Sequence, residues 1–557
     1  MRLRLDLFIL TALLWGGWAL GSQLMPVWFW FIPGVLTVGF ATWLVITALS
    51  DRLWAISAGL CPVPRWVWPG LVVGAALLLG LSRLYPIRLI DVPGPVVFAL
   101  GVACLFTAVS NDPRIAVRDR LPAWILIIIA AGLILIGLAA FAAIATPLTV
   151  IFAFALWLFS IQLFLVVPLA LYHFLTERTA DTEFALSDDL PMVSVLIPAY
   201  NEEDTIEGTI EAVLASTYPA GLLEIVVIDD GSTDATNRIA ASYRDRGVQV
   251  YRRPNGGKHA ALNLGLRCSS GEIVVTVDAD SRIAPEAIGE MVAQLQLDDD
   301  VGCVGGTVRV ANTDSALTRL QALEYAFDIN TSRRAFSVLD VVPIMPGCMS
   351  GFKRRALEDA GGFSPDTVAE DFDVTIELLK NGWHTRHSPS TVWTVAPETI
   401  GALRAQRVRW YLGGMQTMWK HRDVFASPDT RFLHAFSLPL RMVSQVFVPL
   451  GSVVILFAIG LALLFGDTMF VATMGTFFLV LTCLLMTLAI RIEGESLSLV
   501  AYAPLMFVGY KHFLDYAMAV GVLRSTRRPI EPKLDFESFL ENWGSRWEVL
   551  DSDSSAK

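Results

Sequence analysis

The stretch "GEIVVTVDADSRI", Gly271 to Ile283, decides how the chain is read. Ile273 to Val277 is a short run rich in β-branched residues, the pattern of a strand buried on both faces. It ends on two carboxylates, Asp278 and Asp280, with only Ala279 between them. Residues two apart on an extended chain point to the same side, and two ionised carboxylates about 4 Å apart repel by roughly 4 kcal/mol at an effective dielectric near 20. A positive charge is therefore expected between them.

The same alternation of buried strand and helix extends to either side. "MVSVLIPAYNEEDTIEGTIEAVL" gives a strand from Val193 to Ile197, with Asn201 placed to cap a helix that opens with Glu202 and Glu203. "LEIVVIDDGSTDATNRIAASY", "VQVYRRPNGGKHAALNLGL" and the opening strand with its helix "PEAIGEMVAQL" complete four strand and helix units. Such alternation predicts an α/β fold with a mostly parallel sheet, whose ligands bind beyond the carboxyl ends of the strands. Asp229 and Asp230, Lys258, and Asp278 with Asp280 all fall at those ends or in the loops that follow. Taken singly, each has a plainer explanation in turn chemistry, helix capping or a solvated lysine. Their order along the chain instead describes a pocket with carboxylates for a ribose or a metal and a cation for phosphate.

Composition places this domain beside a membrane. The chain has 557 residues, 54% hydrophobic and 17% charged, with a mean hydropathy of +0.55, too apolar for a soluble enzyme. A net charge of -11 argues against a nucleic-acid partner. The six cysteines show no CxxC spacing, so neither a zinc site nor a disulfide framework is expected. Six apolar runs precede the α/β part, from Leu5 to Gly21, Val27 to Leu49, Trp66 to Leu81, Gly94 to Ser110, Pro122 to Ala145 and Pro147 to Leu175. The first lacks an A-x-A site and five more follow it, so it reads as a span and not a cleaved signal. Arg2 and Arg4, Arg52 and Arg65, and Arg114, Arg118 and Arg120 make alternate loops basic, against which Arg83 and Arg88 run counter. The positive-inside rule then places the α/β domain in the cytoplasm. Three further runs, Leu440 to Gly466, Met469 to Ile490 and Ser496 to Leu523, follow it. Lys511, His512 and Asp515 inside the last of these predict an interfacial segment or a polar cavity. The resulting domains are 1–176 (transmembrane), 190–398 (α/β), 399–436 (interfacial helices), 437–524 (transmembrane) and 525–557 (a tail whose Leu534 to Trp547 could dock on the α/β domain).

The motifs "VSVLIPAYNEE", "VVIDDGSTD", "NGGKHAALN", "VDADS", "AEDFDV" and "QRVRW" resemble the successive motifs of family 2 glycosyltransferases with a Rossmann-like GT-A fold. From Gly347 to Gly414 the chain is similar to bacterial poly-N-acetylglucosamine synthases and to the chitin, hyaluronan and cellulose synthases. The resemblance covers about Met192 to Phe425 and implies a GT-A domain set between two groups of transmembrane helices. It implies that Asp229 and Asp230 hold the uridine end of a UDP-sugar, that Lys258 and Asp278 meet its diphosphate, and that Asp278 and Asp280 bind Mg2+ or Mn2+. Asp371 matches the catalytic base, with Glu370 beside it, and Gln406, Arg409 and Trp410 match a Q-x-x-R-W signature for acceptor and diphosphate. Ala369 stands where related synthases often have threonine. Three functions fit: a processive synthase that polymerises and exports a polysaccharide, a transferase adding one sugar to a lipid-linked acceptor, and a transporter with a degenerate sugar-nucleotide sensor. N-acetylglucosamine is the first choice of sugar, with glucose and glucuronate as alternatives; accessory subunits are left open.

Overall fold

Seven consecutive buried residues, Val193–Ala199, form the strand around which the α/β domain is built. The computed structural model describes residues 166–180, 190–426, 433, 437–464 and 468–527. The first five expected spans, most of the sixth and the tail from residue 528 lie outside the described residues. By contacts the chain divides into one unit of residues 1–174, 425–435 and 443–515, and a second of 175–424, 436–442 and 516–557.

The second unit holds a single eight-stranded sheet. Its strands are β1 (Val193–Ala199), β2 (Leu223–Asp229), β3 (Val248–Arg252), β4 (Ile273–Val277), β5 (Ser281–Ile283), β6 (Val301–Val310), β7 (Met349–Lys353) and β8 (His384–Thr394). They lie in the order β3-β2-β1-β4-β7-β6-β8-β5. Neighbours from β3 to β4 are parallel. β7 then runs antiparallel to both β4 and β6. β8 is parallel to β6, and β5 is antiparallel to β8. The parallel expectation thus holds for the first half of the sheet and gives way to a mixed second half.

The helices that carry or brace the site are α1 (Ile206–Leu214), α2 (Thr236–Ala241), α3 (Lys258–Cys268), α4 (Ala287–Gln296), α5 (Ala316–Glu324), α6 (Glu370–Lys380) and α7 (Ile400–Lys420). Leu196, Val226, Ile228, Val274, Ala261, Leu262 and Phe352 share one core between the sheet and α3. Each fully buried aliphatic side chain there contributes about 1.5–3 kcal/mol. Gly265 lets α3 lie close, since a Cβ would sit 2.8 Å from Ile228 Cδ1.

α7 clamps α6. A Cβ at Gly413 would lie 2.6 Å from the Cβ of Ala369, so the glycine is what lets α7 approach the start of α6. Gln416 Oε1 accepts from the amide of Val368 at 3.2 Å. Asp373, fully buried, accepts from Lys420 Nζ at 2.8 Å and pairs with His421 Nε2 at 2.9 Å.

Beyond the α/β domain, Leu438–Leu464 and Leu497–Ser525 are, among the described residues, long and apolar enough to cross a membrane. Thr468–Glu493 is a further continuous helix. Phe457, Leu464 and Met469 turn 68%, 76% and 80% of their surface outward, as lipid-facing residues do. The last apolar stretch is broken at Val508 and Gly509, where Gly509 takes φ +108°. Just past the break, Lys511 Nζ donates to Asp515 at 2.8 Å and to Ser452 Oγ at 3.1 Å, so the charges expected there neutralise one another.

Burial alone would raise the carboxyl of Asp373, but hydrogen bonds from His421 and Lys420 outweigh it and hold the group below the usual carboxylate range. Its stabilisation is therefore present above the unfolded carboxylate pKa and is lost as pH falls through the lower folded value. Asp373→Ala, which takes the buried carboxylate from His421 and leaves Lys420 only Asp366 and Ser364, should cost roughly 1–3 kcal/mol, read as a fall in the melting temperature of the detergent-solubilised full chain. A melt within a degree of wild type would refute the clamp.

Candidate active site

The chain passes from β1 outward through β2 to β3, then returns to place β4 on the other side of β1. This reversal opens a crevice beyond the carboxyl ends of β1 and β4, the place where open α/β sheets bind ligands. The loop after β1 forms one wall. Asn201 does not cap a helix there: it takes φ +57°, and α1 begins only at Ile206. Its Oδ1 accepts from the amide of Thr233 at 2.9 Å, while its own amide donates to Ser232 Oγ at 3.0 Å. Asparagine tolerates the left-handed region, so the residue stitches the loop after β1 to the loop after β2.

At the crevice Asp278 has a cationic partner. Lys258 Nζ lies 2.6 Å from Asp278 Oδ1 and 3.2 Å from Glu370 Oε1, and donates to the carbonyl of Gly347 at 3.3 Å. Lys258 opens α3, where a cation opposes the helix dipole. Burial works against its charge, yet Asp278, Glu370 and Asp371 hold its pKa well above the ordinary lysine value. Glu370 and Asp371 occupy the first turn of α6, where the dipole favours carboxylates. Burial, then the neighbouring Glu370, push Asp371 up to about 7, against the pull of Lys258. Its Oδ1 accepts from the amide of Phe372 at 2.8 Å. Burial likewise lifts Asp278 to about 6 despite Lys258. Gly347 leaves room for these groups: a Cβ would stand 2.9 Å from Asp371 Oδ2 and 3.0 Å from Lys258 Nζ and would displace them.

Asp280 lies two residues beyond Asp278 at the same strand end. It accepts from Ser281 Oγ at 3.0 Å, and burial, together with the charge of Glu202, raises its pKa. Among the described residues no group of three or more His, Cys, Asp or Glu side chains is arranged to hold an ion. Asp278 and Asp280 are hard oxygen donors in a place with more carboxylates than cations, which fits a divalent cation.

Asp229 and Asp230 are both buried and both engaged. Asp229 faces Arg252, its register partner on β3, at 3.1 Å, and accepts from the amide of Ser232 at 2.9 Å. Asp230 pairs with Arg253 and gathers the amides of Gly256 at 3.2 Å and Gly257 at 2.7 Å. The glycine loop therefore wraps a carboxylate, and this fixes where Lys258 begins α3. Arg252 and Arg253 were missed in the sequence, although two adjacent arginines shortly after two adjacent aspartates were the available signal.

On α7, Gln406 accepts from Arg407, Arg409 is exposed, and Trp410 is 36% exposed. The fully buried Arg407 and its partner Glu324 were also missed, because nothing in sequence brings α5 to α7. Cys348 is not a nucleophile in waiting, since burial pushes its thiol up to about 12.

The mixed sheet, the crevice and the lysine among carboxylates define a GT-A type of α/β domain. Residues 194–361 match the family described as Glycosyl transferase family 2. Over 276 residues the chain is 33% identical to the poly-beta-1,6-N-acetyl-D-glucosamine synthase of Staphylococcus aureus (strain MSSA476), a match spanning 49% of this chain and 65% of that protein. It is 31% identical over 281 residues to the protein of the same name from Staphylococcus epidermidis, spanning 49% and 67%. The chain belongs to the family 2 glycosyltransferases. Among solved structures, a mannosyltransferase from Pyrobaculum calidifontis in complex with GDP-Man and Mn2+ superposes with a TM-score of 0.45 at 22% identity, over 68% of this chain and 99% of that one.

If Asp230 organises the loop, Asp230→Ala frees the amides of Gly256 and Gly257. Their hydrogen exchange should quicken roughly ten- to a hundredfold while β1 and β4 stay protected. Unchanged exchange at both glycines would show that the loop holds itself.

Proposed function

We propose that the protein is a membrane enzyme that transfers a sugar, N-acetylglucosamine first among candidates, from a UDP-sugar to a growing polysaccharide with inversion at the anomeric carbon. The observation that carries this is the meeting of Lys258, Asp278, Glu370 and Asp371, brought from three separate elements to one point. The staphylococcal relatives support the sugar, and the outward-facing apolar helices support the membrane. The α/β domain faces the cytoplasm in this reading, where nucleotide sugars are made.

Asp371 accepts the proton of an acceptor hydroxyl. The hydroxyl oxygen bonds to the anomeric carbon as the bond from that carbon to UDP breaks, and the electron pair leaves with the diphosphate. Lys258 turns from Asp278 and Glu370 toward the diphosphate and stabilises its growing charge. Asp278 and Asp280 would hold a divalent cation, which when bound supplies Lewis-acid stabilisation of the same leaving group. Asp229 and Asp230 keep the uridine wall in shape through Arg252, Arg253 and the glycine loop, and Gln406 and Arg409 serve the diphosphate side of the acceptor channel. Trp410 offers an indole face to the acceptor sugar. No protein nucleophile is required, so one displacement inverts the configuration.

The first test is a panel of radiolabelled UDP-sugars with Mg2+ or Mn2+, followed by sizing of the product. A ladder of increasing length supports the polymerase; one sugar on a lipid would replace it with the single-addition reading. Activity that persists in excess chelator would sink the metal assignment.

Asp371 must be ionised to act, so the rate should rise with pH through about 7. Glu370 holds that value up and Lys258 holds it down. Glu370→Gln should therefore move the acid limb of the rate profile to lower pH, and Asp371→Asn should cut turnover by roughly 10²–10⁴ while donor still binds. An acid limb that stays in place in Glu370→Gln would mean that another group is the base.

A further inference from the structure

One turn before Trp410, α7 carries an arginine with no exposed surface. Arg407 is 0% exposed, and burying a guanidinium is costly unless its N–H groups are paired. They are: Nε donates to Glu324 Oε1 at 3.0 Å, Nη2 donates to Glu324 Oε2 at 2.8 Å, and Nη1 donates to Gln406 Oε1. Glu324 is the last residue of α5 and is 5% exposed. The guanidinium carbon stands 4.1 Å from the centre of the Trp410 ring and 5.7 Å from that of Tyr325. The two rings are 6.4 Å apart, and Tyr325, buried, opens a π-helical turn.

A cation seated on one face of an indole leaves the other face for a ligand. The forked, in-plane pairing with Glu324 fixes the plane of the guanidinium, and the ring stacked upon it inherits that plane. An apolar side chain would fill the same space without burying a charge, so what the pair adds is orientation.

We infer that Glu324 and Arg407 are positioning residues that set the plane of Trp410, so that its open face meets the acceptor sugar and holds the growing chain between additions. This rests on the reading of Trp410 as acceptor platform. None of the contacts given above joins Glu324 or Arg407 to Lys258, Asp278, Glu370 or Asp371, and Arg407 meets the diphosphate side through Gln406 Oε1.

The test uses the full chain in detergent, with Arg407→Lys and Glu324→Gln, each alone and combined with Trp410→Ala. Arg407→Lys keeps the charge and loses the fork and the flat face. One readout is the ratio of sugar in polymer to UDP released. It should fall roughly tenfold in Arg407→Lys while UDP release changes less than about twofold, and should fall no further when Arg407→Lys is added to Trp410→Ala. A role in folding alone would lower both quantities together and would overturn the inference.

The second readout needs no product: the 19F spectrum of protein labelled with 5-fluorotryptophan, the Trp410 signal being the one absent from Trp410→Phe. That signal should move or broaden in both single variants, and an unmoved signal in both would overturn the inference. If it moves while Trp410→Ala leaves the ratio at the wild-type value, the ring is positioned as inferred and the platform reading is what fails.

Discussion

The contact between Lys258 and Asp278, 2.6 Å long, is the constraint on which the rest of the domain depends. An ammonium at the start of a helix and a carboxylate at the end of a buried strand are each unfavourable alone. Together they are tolerable, and the fold is arranged to deliver them. The reversal of strand order puts the end of β4 at a crevice, the Asp230-centred loop sets the start of α3, and the first turn of α6 brings Glu370 and Asp371 to the same ammonium. Three carboxylates around one ammonium leave the place short of positive charge.

α6 is held from behind by α7, and the way it is held links the helix of Trp410 to Asp371. Gly413 against Ala369, Gln416 on the amide of Val368, and Lys420 with His421 on Asp373 all bear on the segment that carries Asp371. The helix with the Q-x-x-R-W signature is thus also the brace of the segment that carries Asp371. The helix that carries Trp410 and the segment that carries Asp371 are packed against each other.

The expectation for Asn201 changed on meeting the structure, for a local reason. Asn201 looked like a helix cap because asparagine before two glutamates usually is one. Its backbone instead takes the left-handed turn that lets the loops after β1 and β2 knit together. The residue type was read correctly, but the neighbours that give it meaning lie some thirty residues away.

What the sequence by itself determined is whatever depends on local order: four strand and helix units, an acidic pair at the end of β2, a lysine after β3, an acidic pair after β4, and the apolar runs at the ends. Buried strands need unbroken apolar runs, and functional side chains gather where those runs stop, so both are written in consecutive residues. Only the tertiary structure decided the antiparallel insertion of β7, the pairing of Asp229 with Arg252 and of Asp230 with Arg253, and the union of Glu324, Arg407 and Trp410. Those depend on which strand or helix lies beside which, a choice made by packing and by pairing buried charges across long separations, and no short-range pattern encodes it.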